Sequence, residues 1–128
     1  DSLYPSIMQP DGYAVTARFD SVGDLARGAD VRVSGVPIGT VRRIELDRDT
    51  FFARATLIID GSVEIPADST ATITANGLLG GLYVNIEPGG DMEMLAEGEE
   101  IEFTQGAVDL FGLVSDFVGN NTGGSGSQ

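Results

Sequence analysis

The sequence predicts an all-β fold, a seven-stranded β-barrel followed by a short C-terminal α-helix. Apolar residues recur at every second position in several short segments, which is the period of a half-buried strand. Turns rich in Gly, Pro and Asp separate these segments, and no long helical period occurs among them. This pattern is typical of a compact antiparallel barrel or sandwich. We favour the barrel because closure removes the exposed strand edges of a small domain.

The first four strands are predicted over residues 13–19, 31–36, 41–46 and 51–59. Strands two and three are interpreted as a short hairpin whose turn lies around Pro37 to Gly39. The fourth strand follows a polar turn and ends at Asp60-Gly61. Its apolar residues are expected to share one buried face, and they are Phe51, Ala53, Ala55, Leu57 and Ile59.

The last three strands continue the alternation. Strand five is predicted at 71–75, strand six at 82–86, and strand seven at 101–103 after the acidic turn 97–100. With the preceding four they place the barrel at residues 13–105, after a lead-in at 1–12. The 128 residues, 41% of them hydrophobic, suffice for one domain with a core of its own.

The segment 106–119 changes to a helical period. Its apolar positions are Val108, Leu110, Phe111, Leu113, Val114, Phe117 and Val118. So wide an apolar face favours packing against a second copy of the chain, although a helix that merely covers one open end of the barrel remains an alternative. Residues 120–128 are rich in Gly, Ser, Asn and Thr, which predicts a disordered tail.

Charge and composition exclude several classes of function. Twenty acidic residues against seven basic ones give a net charge of -13, so nucleic acid would be repelled. The chain has no His and no Cys, which rules out Ser-His-Asp and Cys-His catalysis. Asp47-Arg48-Asp49 lacks the Gly and the distal Glu of a calcium loop. We therefore expect neither enzyme activity nor a metal or cofactor, and an enzyme that uses paired carboxylates is kept only as a remote alternative.

The most unusual feature is the apolar loop 76–80, Asn-Gly-Leu-Leu-Gly, between strands five and six. Exposure of one Leu forgoes roughly 1.5–3 kcal/mol of burial, so two adjacent ones at a hairpin tip require an explanation. Leu78 and Leu79 could fold back under the barrel. Alternatively, several copies could bring these loops around an axis and form an apolar ring wide enough for an alkyl chain. The loop alone does not decide between the two.

Several motifs resemble the MCE domain family, and they occur in the family's order. They are Phe-Asp-Ser-Val-Gly-Asp-Leu at 19–25, the glycine-containing run 28–41, Ile-Pro-Ala-Asp-Ser at 65–69, Gly-Leu-Leu-Gly at 77–80 and Tyr-Val at 83–84. Together they extend over roughly residues 13–103. The chain is therefore identified as a member of this family.

The resemblance implies a seven-stranded barrel that assembles as a homohexameric ring in the periplasm. An N-terminal transmembrane helix, expected before residue 1, would anchor the ring at the bacterial inner membrane. Leu78 and Leu79 correspond to leucines that line the family's central pore, with Gly77, Gly80 and Leu82 beside them. Gly81-Leu82 replaces more polar residues found in some relatives. The helix 108–118 corresponds to one that extends the ring.

The function implied by the resemblance is phospholipid trafficking by an ABC transporter that maintains outer-membrane lipid asymmetry. The expected partners are phospholipid, further copies of the chain, the permease and ATPase subunits, and a periplasmic lipid carrier. Residues alone leave a second hypothesis open, a structural or adhesive β-module that self-associates and never contacts lipid.

Overall fold

The computed structural model describes residues 12–107, which form one β-sheet of eight strands. No helix occurs within this range, so the all-β class is confirmed. In this range there is also no helix long and apolar enough to span a membrane. Residues 1–11 of the lead-in, residues 108–119 of the predicted helix and the polar tail lie outside the described residues. The strands are β1 Tyr13–Phe19, β2 Asp30–Val33, β3 Val36–Leu46, β4 Ala53–Ile59, β5 Thr70–Ala75, β6 Leu82–Glu87, β7 Glu100–Ile101 and β8 Phe103–Gln105.

The sheet curls into a nearly closed barrel. Its strand order is β7-β1-β4-β3-β2-β6-β5-β8, so the two outermost strands are β7 and β8. These two are consecutive in the chain and are separated only by Glu102, so one short segment joins the two edges of the sheet. The Thr104 hydroxyl donates a hydrogen bond to the Arg18 carbonyl oxygen at 2.7 Å across this seam.

The barrel is mixed rather than antiparallel. Four strand pairs are antiparallel, whereas β1 with β7, β2 with β6 and β5 with β8 are parallel. The predicted seventh strand is in fact two. Ile101 pairs with β1 and is fully buried, whereas Phe103 pairs with β5 and is exposed, because the chain bends at Glu102.

The predicted turn at Pro37 to Gly39 is wrong, because these residues belong to β3. The hairpin turns instead at Ser34-Gly35, where both residues have positive φ (53° and 82°). Two such residues between paired strands are the geometry of a type I′ turn. The pairing of β2 with β3 is shifted between Val31 and Arg32, and Arg32 lies opposite Pro37. A proline, which lacks an N–H donor, is tolerated at such a bulge.

The fourth strand begins at Ala53, later than predicted. Phe51 does not share the buried face, since it is 72% exposed and has a positive φ of 62°. Ala55, Leu57 and Ile59 are buried as predicted, whereas Ala53 is only half-buried. The core consists of the inward side chains of all strands but β8, together with four residues from connections and from the β3 bulge. It contains Val15, Ala17, Phe19, Val31, Val41, Ala55, Leu57, Ile59, Ala71, Ile73, Val84, Ile86 and Ile101, and also Leu25, Ile38, Ile65 and Leu95.

Strand direction assigns each connection to one end of the barrel. β1, β5, β7 and β8 run the same way, and β4 runs against β1. The β3–β4 loop (47–52), the β5–β6 loop (76–81) and Ala107 therefore lie at one end, which we call the leucine end. Gly12 and the turns at 34–35 and 60–62 lie at the other, which we call the tyrosine end because β1 starts there at Tyr13.

Candidate functional site

The backbone of the leucine loop (76–81) is shaped by its glycines. The Asn76 N–H donates to the Gly81 carbonyl oxygen at 2.8 Å and closes the loop. Gly77 and Gly81 have φ values of 74° and 81°, a region that residues with a Cβ rarely adopt. At Gly80 a Cβ would overlap the Asn76 carbonyl oxygen. The loop thus holds its conformation without help from its side chains.

The two leucines at the tip of this loop project into solvent. Leu78 is 94% exposed and Leu79 is 100% exposed. They do not fold back under the barrel, which was one of the two alternatives left open by the sequence. Full exposure of both side chains forgoes roughly 3–6 kcal/mol of burial, at about 1.5–3 kcal/mol each. An apolar tip of this kind is a candidate contact for an apolar ligand or a second protein surface.

The other residues predicted for the site differ in position. Gly77 and Gly80 lie in the loop itself, beside the leucines. Leu82 is the first residue of β6, half-buried, and packs against the core near Gly23. It therefore belongs to the barrel wall as well as to the base of the loop, and its role as a pore residue stays a prediction. The helix positions from Val108 to Val118 lie outside the described residues.

A second apolar cluster at the leucine end was not predicted. Leu46, Phe51 and Phe52 are all exposed at the end of the β3–β4 hairpin. The guanidinium carbon of Arg18 lies 5.7 Å from the centre of the Phe52 ring, which is a cation–π distance. The signal in the sequence was the Phe-Phe pair directly after a polar turn. Period-two alternation assigned Phe51 to the core because it shares its parity with Ala53 and Ala55.

The carboxylates with a shifted pKa stabilise loops by accepting hydrogen bonds from backbone N–H groups. Backbone N–H donors of Asp49 and Thr50 lower the pKa of Asp47, and the Ser62 N–H and hydroxyl lower the pKa of Asp60. The N–H groups of Asp91 and Gly90 likewise lower the pKa of Asp68. A general acid needs the opposite shift. Residues 12–107 also hold no group of three metal-ligating side chains.

One tyrosine links the tyrosine end to its neighbouring loop. Burial, and after it the charge of Glu64, raises the pKa of Tyr13. The Tyr13 hydroxyl donates to the Val63 carbonyl oxygen at 2.6 Å. The protonated phenol is therefore the form that this position stabilises, which gives it a structural role.

Comparison with known proteins identifies the family. The family model described as MlaD protein matches residues 11–89, more than half of the chain. The chain belongs to the MlaD family. This confirms the resemblance of the sequence to MCE domains.

Two relatives in the MlaD family carry the same name, "Intermembrane phospholipid transport system binding protein MlaD". The protein of Haemophilus influenzae is 36% identical over 110 residues, which are 83% of this chain and 66% of the relative. The protein of Escherichia coli K12 is 34% identical over 124 residues, which are 92% of this chain and 68% of the relative. The chain thus spans about two thirds of the length of these relatives.

The fold also matches a chain in a solved structure of a protein complex. A chain of the Acinetobacter MlaFEDB complex in an ATP-bound conformation superposes with a TM-score of 0.77 at 30% sequence identity. The match covers 84% of this chain and 81% of the other. The barrel described above is therefore also the fold of this chain of the complex.

Proposed function

We propose that the chain is a non-enzymatic subunit of a phospholipid-transport ABC system, in which the Leu78-Leu79 tips of several copies line an apolar pore. The observation that carries this proposal is the exposure of two adjacent leucines on a glycine-rich loop closed by a backbone hydrogen bond, in a member of the MlaD family. The names of the relatives, which describe binding proteins of phospholipid transport systems, support the substrate class.

The packing of the barrel supports a pore between copies rather than within one. The interior is filled by core side chains such as Phe19, Leu57 and Ile86, each with almost no exposed surface. An eight-stranded barrel has room for little more than its own side chains. A lipid can therefore not pass along the axis of one barrel. Transfer of an acyl chain through water costs about 0.8 kcal/mol per CH₂. A ring of leucines around a shared axis would largely remove this cost.

The same family membership supports a proposal for the wider assembly. We propose a hexameric ring on the periplasmic side of the bacterial inner membrane. Permease and ATPase subunits would supply the driving force, and a periplasmic carrier would exchange lipid with the ring. The likeness to a chain of the MlaFEDB complex supports these partners. In this arrangement the leucines act passively, because they offer an apolar path but perform no chemistry.

Site-specific photocrosslinking tests the contact with lipid. A photoreactive amino acid at Leu79 is expected to capture phospholipid in cells that express the whole protein. Met92 is the matched control, since it is also apolar and 91% exposed but belongs to the tyrosine-end connections. Capture at Leu79 and not at Met92 supports a path at the leucine loop. Equal capture at both positions would show unspecific adsorption to apolar surface and would contradict the proposal.

A polar substitution separates transport from mere self-association. Leu79→Asn is expected to reduce phospholipid transport at least tenfold while the assembly keeps its mass, because the side chain supports neither the fold nor the loop backbone. Met92→Asn should leave transport unchanged. Lipid transfer and native mass are measured on the same samples. If Leu79→Asn abolished assembly, or changed neither quantity, a structural β-module would be the better description.

A further inference from the structure

The few cationic residues of the chain are concentrated in one part of it. All seven are arginines, and all lie between residues 18 and 54. Arg18, Arg32, Arg43 and Arg54 each have a carboxylate partner within 3.6 Å. Within the described part of the chain, the other three, Arg27, Arg42 and Arg48, have none, and all three are exposed. Arg27 lies in the connection between β1 and β2, whereas Arg42 and Arg48 lie together, in the outer half of β3 and in the loop that follows it.

The outer half of β3 is also a free sheet edge. Its inner half pairs with β2 as far as Thr40, and the Ala29 carbonyl oxygen accepts the Val41 N–H at 2.8 Å. From Arg43 to Leu46 the only strand that β3 pairs with among residues 12–107 is β4. We call this edge, with Arg42, Arg43, Leu46 and Arg48, the arginine edge. Leu46 adds an exposed apolar side chain in the middle of it.

The other side of the barrel carries an acidic concavity of about 420 Å³. Its apolar part consists of Ala67, Leu95 and the exposed Phe103. Five carboxylates surround this apolar part, and within the described range no cation lines the concavity. The five carboxylates are those of Asp68, Asp91, Glu99, Glu100 and Glu102, and Glu100 is paired with Arg18 at 3.0 Å.

The two surfaces cannot reach each other within one copy. Arg43 lies opposite Thr56 of β4, Thr56 opposite Thr16 of β1, and Thr16 opposite Glu100 of β7. Three steps between strands correspond to about 14 Å along the barrel wall, at roughly 4.8 Å per step. That is well beyond ion-pair distance. The arginine edge and the acidic concavity are therefore complementary in charge, but they lie on different sides of the molecule.

Net charge restricts how two copies can approach. Two copies with a charge of -13 repel each other at long range. A back-to-back contact would place like surfaces together and add to this repulsion. A head-to-tail contact places Arg42 and Arg48 of one copy on the carboxylates of the next, and such a contact can repeat until a ring closes.

We infer that the arginine edge binds a second copy of this chain. The arginine edge of one copy docks into the acidic concavity of the next. Leu46 meets the apolar part around Phe103, and Arg42 and Arg48 meet the surrounding carboxylates. This inference rests on the proposed function, because the pore needs several copies. It goes further by naming the two surfaces that join them.

Charge reversal on each surface, followed by mixing, tests the contact. The first variant carries Arg42→Glu and Arg48→Glu, and the second carries Asp91→Arg and Glu102→Arg. Alone, each is expected to associate at least about tenfold more weakly than the unmodified chain, a change of about 1.4 kcal/mol. An equimolar mixture should recover the full assembly, since every contact then joins opposite charges again. Native mass and sedimentation measure the outcome.

Matched controls distinguish loss of the contact from loss of folding and from a change in net charge. Glu64→Arg with Glu87→Arg changes the charge as much as the second variant, but neither residue lines the concavity, so assembly should remain. Recovery on mixing also shows that both charge-reversed variants are folded. Full assembly of either variant alone, or failure of folded variants to recover on mixing, overturns the named surfaces and leaves the pore intact. A monomeric unmodified chain overturns the ring as well.

Discussion

Two apolar loops lie at the leucine end of the barrel, and they hold their shape by different means. The leucine loop uses glycines at positive φ and one backbone hydrogen bond between Asn76 and Gly81. The β3–β4 loop (47–52) also has backbone hydrogen bonds, between Asp47 and both Phe51 and Phe52, but it adds side chains to them. The Asp47 carboxylate accepts the N–H groups of Asp49 and Thr50 at 2.9 and 3.3 Å and pairs with Arg54 at 3.1 Å.

The difference separates exposed side chains that take no part in the structure of their loop from exposed side chains that accompany a turn. In the leucine loop no side chain supports the backbone, so Leu78 and Leu79 are free to contact something else. In the β3–β4 loop Phe51 occupies a left-handed conformation that disfavours bulky residues, and its backbone N–H is held by the Asp47 carbonyl oxygen at 2.6 Å. An exposed apolar residue alone is therefore not evidence of a ligand contact.

The largest stability effect is expected at Gly80. In Gly80→Ala the new methyl group would overlap the Asn76 carbonyl oxygen, so the loop must move, at a cost of about 2 kcal/mol of unfolding free energy. Gly90→Ala is the control, because no atom lies within 4 Å of a Cβ there. Urea denaturation of both variants measures the difference. Equal stabilities would mean that backbone packing does not hold the leucine loop.

A smaller effect of opposite sign is expected at Phe51. Phe51→Gly relieves about 1–2 kcal/mol of left-handed strain but loses roughly 0.5–1 kcal/mol to the entropy of the unfolded chain. The net result should be a gain of about 0.5 kcal/mol, since the side chain is mostly exposed. Phe52→Gly has no such strain to relieve and removes the ring beneath Arg18, so it should destabilise the fold. A loss of stability in both variants would show that Phe51 packs on its surroundings.

Much of the barrel could be predicted because alternation reports burial directly. Leu57, Ile59, Ala71 and Ile73 point inward as their spacing predicts. The register could not be predicted in the same way. The bulge beside Pro37 keeps a proline inside β3, and the bend at Glu102 divides the last strand between β1 and β5. The first depends on how β2 pairs with β3 and the second on pairing with distant strands, and a local period reports neither.

The candidate site was predictable in position but not in conformation. Glycines on both sides of Leu78-Leu79 indicated a loop, yet the sequence left open whether its tip bends under the barrel. Backbone φ values and the close approach of Gly80 to Asn76 decide that it does not. Phe51 was placed wrongly because parity alone cannot locate the residue at which a turn ends and a strand begins.

The smallest effect is a pH dependence in the β3–β4 loop. Backbone N–H donors hold the pKa of Asp47 below its usual value of 3.8, so the carboxylate stabilises the fold above that pH and loses this contribution as pH falls through the folded pKa. Asp47→Asn should therefore melt below the unmodified chain at pH 7, and the gap should narrow below about pH 4. Asp49→Asn removes the same charge from the same loop and should melt like the unmodified chain at both pH values, because its backbone N–H, and not its carboxylate, binds Asp47. A gap in melting temperature that stayed constant across this range would mean that the shape of the Asp47 side chain, rather than its charge, fastens the loop.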